Sequence, residues 1–257
     1  MVKLAMSTFS PKTDRLKKLA KIFPNRIQEL EKIFQGKTRI YIDYANVYHW
    51  SKKIKWNLNI KRLKQFLDSF SNIEQISMYQ GTLAGNSGSE GFIAECNKYH
   101  YRVVTKPVKI MNISMDVSGI PSDSPVVLNN FIKHNLIKQF KIETIEYLNN
   151  QLHELNNAGK THLQVKKCNF DVEIGRDMLL DFERNGTESF ILWSGDSDFA
   201  EPVEQLIKDK KHVVIFATAR RVSVELSQTK APIFDINKIK DFICMPKQIT
   251  ENTKKQL

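Results

Sequence analysis

The stretch FILWSGDSDFAEPVEQL, residues 190–206, sets the fold class of this 257-residue chain. Its opening FILWS is a short apolar run, a pattern that favours a strand buried in a sheet. A polar turn follows, and the remaining residues are helix-like. Asp196 and Asp198 stand two positions apart in that turn. The stretch therefore predicts a strand–turn–helix unit with two carboxylates at the point where the strand ends.

The same alternation of strand and helix recurs along the chain. Helices are predicted at 60–70 and 87–99. Further strands are predicted for RIYID (39–43), QISMYQG (75–81), YRVVT (101–105), HVVIFA (212–217) and PIFDI (232–236). Strands that alternate with helices indicate a mainly parallel sheet covered on both faces.

Three segments depart from this alternation. Residues 1–36 form a basic N-terminal extension, in which 11–36 has the apolar spacing of a helical hairpin interrupted by Pro24. Residues of about 111–163 are predicted to be a helical insertion within the α/β domain (37–246), with a long helix or a pair of helices at 129–157. The polar residues 247–257 are predicted to be a flexible tail.

The extension and the insertion each allow two interpretations. Both could simply cover the sheet of one monomer. Alternatively, the lysines of the hairpin contact phosphates, and the insertion forms a homodimer through an apolar seam. That seam comprises Ile145, Leu148, Leu152 and Leu155.

Composition limits the class of protein. Hydrophobic residues make up 41% and charged residues 26%, which is typical of a globular domain, and no apolar run reaches the roughly 18 residues of a membrane span. Cys96, Cys168 and Cys244 lack disulfide or zinc spacing, so we expect a reducing cytoplasm. The net charge of +11 favours a polyanionic partner without requiring one.

Acidic residues from two other segments complete a candidate site. Asp43 ends a predicted strand and is followed by Asn46, and Asp171 is predicted to be the N-cap of a helix that carries Asp177. Each alone could be a cap or a turn residue. Sites in open parallel sheets form at the carboxyl ends of strands, near the switch in strand order. Carboxylates gathered there repel one another unless a hard cation such as Mg²⁺ neutralises them.

Other chemistries fit the sequence less well. The chain has no phosphate-binding G-x-x-x-x-G-K-[ST] loop, no G-x-G-x-x-G and no G-x-S-x-G. Ala45 occupies the position at which a haloacid-dehalogenase phosphatase needs its second aspartate. The histidines are scattered, and only His49 lies near a candidate site residue.

The three acidic segments resemble the motifs of NYN domains, which are relatives of the PIN-like nucleases. The matching segments are YIDYANV (41–47), KCNFDVEIGRDML (167–179) and SGDSDFAEPVEQL (194–206). The resemblance covers roughly 37–242, less the insertion. It implies a Rossmann-like three-layer α/β/α fold and metal-dependent hydrolysis of RNA phosphodiesters.

By motif position, the resemblance implies an acidic catalytic set of Asp43, Asp171, Asp196 and Asp198, with Asn46 as a polar partner and Asp177 as a secondary acid. Asp43 and Asp196 are expected to hold one Mg²⁺ or Mn²⁺, and a second ion could be shared with Asp171 or Asp198. The number of ions stays open. Candidates for phosphate contacts are Lys106, Lys109, Lys166, Lys167, Arg176, Arg220 and Arg221.

Two alternatives to a nuclease remain at this point. The first is a NYN module that binds RNA or a protein without cutting, although a pure binder would not need the intact acidic set. The second is a phosphatase acting on a small substrate, which the excess of basic residues disfavours only weakly. The sequence does not distinguish RNA from DNA, or endonuclease from exonuclease action.

Overall fold

A computed structural model describes residues 7–120, 138–218 and 221–257. Within these ranges, the strands are β1 (Thr38–Asp43), β2 (Ile73–Thr82), β3 (Arg102–Pro107), β4 (Lys109–Ser114), β5 (His162–Lys167), β6 (Ser189–Trp193), β7 (His212–Ala217) and β8 (Ile233–Asp235). The α-helices are α1 (Asp14–Ile22), α2 (Pro24–Ile33), α3 (Tyr44–Ile54), α4 (Ile60–Leu67), α5 (Ser87–Lys98), α6 (Ile142–Asn157), α7 (Asp171–Asn185), α8 (Ala200–Lys208), α9 (Val224–Gln228), α10 (Lys240–Ile243) and α11 (Glu251–Lys254). In this part of the chain, no helix has the length and apolar character needed to cross a membrane.

The central sheet has six strands in the order β3-β2-β1-β6-β7-β8, and every neighbouring pair is parallel. Helices flank it in a three-layer α/β/α arrangement, as predicted. The chain runs outward from β1 through β2 to β3, and later outward from β6 through β7 to β8. The order therefore switches direction between β1 and β6, and a parallel sheet places its binding crevice at the carboxyl ends of such a pair.

The predicted N-terminal hairpin is present as α1 and α2. Thr13 caps α1 by accepting a hydrogen bond from the backbone of Leu16, and Pro24 takes the first position of α2, where its missing N–H costs nothing. The apolar face of the hairpin, including Leu19 and Leu30, is fully buried in the main core. One face of the hairpin therefore covers the sheet, while Lys17, Lys18 and Lys21 stay exposed.

Residues Val108–Lys167 form a second compact unit, where the sequence pattern predicted an insertion at 111–163 inside one domain. The unit contains the antiparallel pair β4–β5, which the pattern did not predict. Helix α6 begins at Ile142 after a turn at 138–140, so a single helix across 129–157 is wrong. Residues 129–137 lie outside the described ranges. All four side chains of the proposed dimer seam are half-buried.

The prediction of a flexible tail at 247–257 needs correction. The segment turns back and forms α11, in which Thr253 is buried. The hydroxyls of Thr250 and Thr253 donate to the Asp241 carboxylate at 2.9 and 2.7 Å. The buried Asp241 needs donors, and the threonines supply them, so a polar composition hid a specific docking contact.

Candidate active site

The carboxyl ends of β1 and β6 meet through Ser194. Asp43 is the last residue of β1 and caps α3, with its Oδ1 accepting a hydrogen bond from the Asn46 amide at 3.3 Å. The Ser194 hydroxyl donates to the other Asp43 oxygen at 3.4 Å and accepts from the Asp196 amide at 3.3 Å. One buried serine therefore links the first acidic motif to the third.

Gly195 allows another chain segment to pack directly on this turn. A Cβ at position 195 would lie 1.8 Å from the carbonyl oxygen of Arg221. The Ser223 amide donates to the Gly195 carbonyl at 2.9 Å, which fixes the close approach. The turn that carries Asp196 and Asp198 is thus held by the segment after β7, and Arg221 stands at the rim of the site. Arg220 lies outside the described residues.

Asp171 enters the site from the start of α7, but it is not the N-cap that the sequence predicted. Phe170 occupies the cap position, and Asp171 is the first helical residue. Phe170 is buried edge-on to Tyr79, at 5.9 Å between ring centroids, and the Lys106 ammonium lies 4.8 Å from its ring. Packing of this ring sets the helix start. The Asp171 carboxylate accepts a hydrogen bond from the Asn169 side chain.

The carboxylates of the three motifs act on one another. The pKa of Asp43 is raised to about 6, chiefly by burial and further by the charges of Asp171 and Asp196, while the hydrogen bonds from Asn46 and Ser194 act to lower it. The pKa of Asp171 is also raised, first by burial and then by the charges of Asp196 and Asp198. The structure therefore brings Asp43, Asp171, Asp196 and Asp198 into one electrostatic environment at the switch between β1 and β6.

These residues have the chemistry of a site for a hard divalent cation. All four supply carboxylate oxygens, and Asp43 is a buried acid whose hydrogen-bond donors, an amide and a hydroxyl, carry no net charge. Within the described ranges, no three His, Cys, Asp or Glu side chains already form a closed metal cage. A Mg²⁺ ion that uses one or two carboxylates and keeps its waters needs no such cage.

Asp177, predicted as a secondary acid, has a different environment. Its buried carboxylate accepts hydrogen bonds from Tyr79 at 2.9 Å, from Arg102 at 2.7 Å and from Arg176 at 2.9 Å. Burial alone would raise its pKa, but these donors outweigh burial and hold the pKa below its ordinary value. Asp177 is therefore a neutralised group that ties α7 to β2 and β3.

Asp181, one turn further along α7, repeats this arrangement and was not singled out from the sequence. It accepts from Arg39 at 2.6 Å and from the Tyr41 hydroxyl at 2.7 Å. Both partners belong to β1, about 140 residues earlier in the chain. No local pattern could have revealed the contact.

The candidate phosphate contacts differ in how free their charges are. Lys106 pairs with Glu173 at 2.7 Å, and Arg176 is engaged by Asp177. Lys109, Lys166 and Lys167 lie on the β4–β5 ribbon of the second unit, and all three are exposed. The charges of Lys106 and Arg176 therefore have partners in this structure.

An aromatic cluster beside Asp43 was also missed from the sequence. Tyr44 follows Asp43 directly, and its ring stacks on Phe92 of α5 at 3.9 Å between centroids. Tyr48 follows one helical turn later and is 55% exposed. The available signal was the pair of tyrosines four residues apart, immediately after the first acid.

Comparison with known proteins agrees with the motifs. The model of the NYN domain family matches residues 127–237. Residues 127–237 of the chain are therefore similar to NYN domains. The match includes the second and third acidic motifs of that domain, while Asp43 lies outside it.

Two further proteins are similar to this chain over most of its length. The protein "Low amplitude and bright protein LabA" of Synechococcus elongatus is 24% identical over 204 residues, which cover 79% of this chain and 86% of that protein. A crystal structure of a protein of unknown function from Vibrio parahaemolyticus covers 82% of this chain and 96% of its own, with 16% identity and a TM-score of 0.49.

Proposed function

We propose that this NYN domain is a metal-dependent nuclease that hydrolyses phosphodiester bonds in RNA. One observation carries the proposal. The buried Asp43 carboxylate has a pKa raised by burial and by the charges of Asp171 and Asp196, which belong to two other motifs. Placing like charges around one buried carboxylate is costly unless a cation or a proton compensates them. A nuclease site gains from that arrangement, whereas a structural carboxylate does not.

The four aspartates would hold Mg²⁺ or Mn²⁺. A bound divalent cation supplies charge stabilisation to the phosphate and lowers the pKa of water. Asp43 and Asp196 would be the central ligands, because Ser194 contacts both segments. Asp171 and Asp198 would complete the set, since the charges of Asp196 and Asp198 both act on Asp171. The Asn46 side chain, which can both donate and accept, would orient a water or a carboxylate.

The charge distribution supports a polyanionic substrate. The chain carries a formal net charge of +11. On the β4–β5 ribbon, Lys109 is paired directly with Lys167, and Lys166 is opposite Ile110. Like charges directly opposite one another on neighbouring strands are destabilising, so a bound phosphate backbone would relieve that repulsion.

A binding module that does not cut is the second candidate. The β4–β5 ribbon favours it, because Ile110, Met111, Ile113 and Leu163 are all about half exposed. Such a surface suits contact with another macromolecule. Homodimerisation through α6 stays a prediction. A reducing cytoplasmic location also stays a proposal, in keeping with the three free cysteines.

The test is cleavage of a panel of labelled RNAs with Mg²⁺, with Mn²⁺ or with EDTA. We expect metal-dependent products from the wild type and none from Asp196→Asn. The matched control is Asp209→Asn, because Asp209 is exposed at the far end of α8, about 14 Å along the helix from its start. RNA binding without metal-dependent cleavage would favour the binding module. Equal cleavage by wild type and Asp196→Asn would remove the proposed site.

A further inference from the structure

The aromatic cluster at the start of α3 has the form of a supported platform. Tyr44 stacks on Phe92 at 3.9 Å with an interplanar angle of 26°. Tyr48 lies 6.2 Å from Tyr44, and His49 meets the Tyr48 ring at 6.1 Å in an edge-on contact. The rings of Phe92, Tyr44 and Tyr48 therefore follow one another from α5 to the outer surface of α3.

Exposure increases along this series of rings. Phe92 and Tyr44 are half-buried and pack against the main core. Tyr48 is 55% exposed. A single exposed tyrosine is ordinary on a helix surface, but this ring has two others behind it and an acidic site at the N-cap of its own helix.

The cluster lies at the same edge of the sheet as the acids. Asp43 caps α3, and Tyr48 lies five residues later, about 7.5 Å along the helix axis. Helix α5 follows β2, the neighbour of β1, so Phe92 approaches from the β2 side. Asp196 and Asp198 follow β6, on the other side of β1. The platform and these acids thus flank Asp43 from opposite sides.

We propose that Tyr48 is a stacking surface for an unpaired nucleobase next to the phosphate that the acids would hold. The proposal rests on the proposed nuclease function and names a residue that would position its substrate. An exposed ring can stack on a base only when one face of that base is open. In a duplex, the neighbouring bases cover both faces. Stacking on aromatic side chains also tolerates any base, because every base has a π-face.

The test measures RNA binding under conditions in which the proposed cleavage cannot occur. Asp196→Asn protein in EDTA is titrated into a fluorescently labelled, unstructured RNA, and anisotropy gives the Kd. Adding Tyr48→Ala should weaken binding roughly 5- to 100-fold, the range expected for loss of one stacked base. Tyr48→Phe should keep the affinity, and Tyr48→Leu should not restore it. The matched control is Tyr147→Ala, which removes a tyrosine that is 63% exposed on α6.

Two probes separate stacking from other effects. On an oligonucleotide of the same length without bases, Tyr48→Ala and its parent should bind equally. On a long blunt duplex, where only the two terminal base pairs have an open face, the substitution should have little effect. Equal weakening on the abasic probe would overturn the proposal, since the tyrosine would then act on the backbone.

The binding and cleavage results together distinguish failure of this proposal from failure of the proposed nuclease function. If wild type cleaves with metal while Tyr48→Ala binds and cleaves like wild type, the platform is wrong and the nuclease stands. If binding depends on Tyr48 as described but no metal yields cleavage, the platform stands and the nuclease fails. Because Tyr48 is exposed, the variants should melt like the parent, and a lowered melting temperature would assign the ring to folding instead.

Discussion

Helix α7 carries carboxylates in two contrasting environments. Asp171, at its first position, faces other carboxylates, and its pKa is raised by burial and by their charges. Asp177, six residues later, receives Arg102, Arg176 and Tyr79, and its pKa is lowered. The same type of side chain therefore serves the fold where arginines neutralise it, whereas under the proposed function it would bind an external cation at the start of the helix. This contrast in environment distinguishes the two aspartates, which their sequence alone does not.

The largest expected effect is on catalytic activity, which should depend on the acids of the site and not on Asp177. Asp43→Asn keeps an oxygen that can cap α3 but removes a charge from the site, so cleavage should fall at least about 100-fold. Loss even of a group that merely orients a metal ligand costs about 10- to 100-fold. Initial rates on a labelled RNA measure this. The folded fraction of Asp177→Asn should keep its cleavage rate, and an equally inactive Asp177→Asn would erase the distinction.

The next largest effect is on stability, and here Asp177 is the sensitive residue. Asp177→Asn leaves Arg102 and Arg176 without a counter-charge, and breaking a buried ion pair typically costs about 3–5 kcal/mol. Both arginines are about half exposed, with side-chain exposures of 40% and 57%, so water offsets part of the loss. We expect the free energy of unfolding to fall by about 2 kcal/mol in a urea titration. A stability equal to that of wild type would show that Asp177 is not a structural ion pair.

The pH dependence of the metal-free protein tests Asp43. Its pKa is about 6 in the folded state against 3.8 for the free group, so the folded state holds the proton more tightly. That contribution is complete below pH 4 and is lost as pH rises through 6. In EDTA, wild type should therefore lose about 2 kcal/mol relative to Asp43→Asn between pH 4 and pH 7.

Other titrating groups also contribute to the pH dependence of stability. Asp177, with a lowered pKa, contributes its change only below about pH 4, and His212, also lowered, has the opposite sign to Asp43 near pH 6. The difference between wild type and Asp43→Asn removes both contributions. Parallel curves for the two proteins would mean that Asp43 titrates normally.

The smallest expected effect is the response to metal. A cation at about ten times its Kd adds about 1.4 kcal/mol by mass action, which corresponds to a few degrees in Tm for a chain of this size. Thermal unfolding with and without Mn²⁺ measures the shift. Asp196→Asn should reduce it, whereas Asp177→Asn should retain it from its lower starting temperature. An identical shift in Asp196→Asn would place the ion elsewhere.

The main sheet was predictable because β1, β6 and β7 each contain an apolar run that ends at polar or turn residues. HVVIFA is the plainest example, since its predicted and observed bounds coincide at 212–217. Strands β4 and β5 escaped prediction because nearly all of their residues are exposed. Their pairing leaves no buried face, and hence no alternation to detect.

The site was predictable only in part, for a related reason. Strand ends and short motifs identify Asp43, Asp196 and Asp198 locally. Asp177 and Asp181 each have one partner nearby in sequence, Arg176 and Asn185. Their other partners lie between 75 and 142 positions away, on β1, β2 and β3. Contacts of that range depend on strand order, which motif spacing does not encode. The burial of Phe170 likewise placed the N-cap of α7 at Phe170, one residue earlier than predicted, so that the helix begins at Asp171.

Gly195 illustrates how a residue without functional groups can behave like a catalytic one. Any side chain there must displace the Arg221 carbonyl and break the hydrogen bond from Ser223, and both changes move the turn that carries Asp196 and Asp198. In a saturation mutagenesis screen scored by activity, position 195 would rank with the aspartates. A screen that records only which substitutions abolish activity would therefore count Gly195 as one catalytic residue too many. Second-site substitutions at 221–223 that restore activity would distinguish Gly195 from the aspartates.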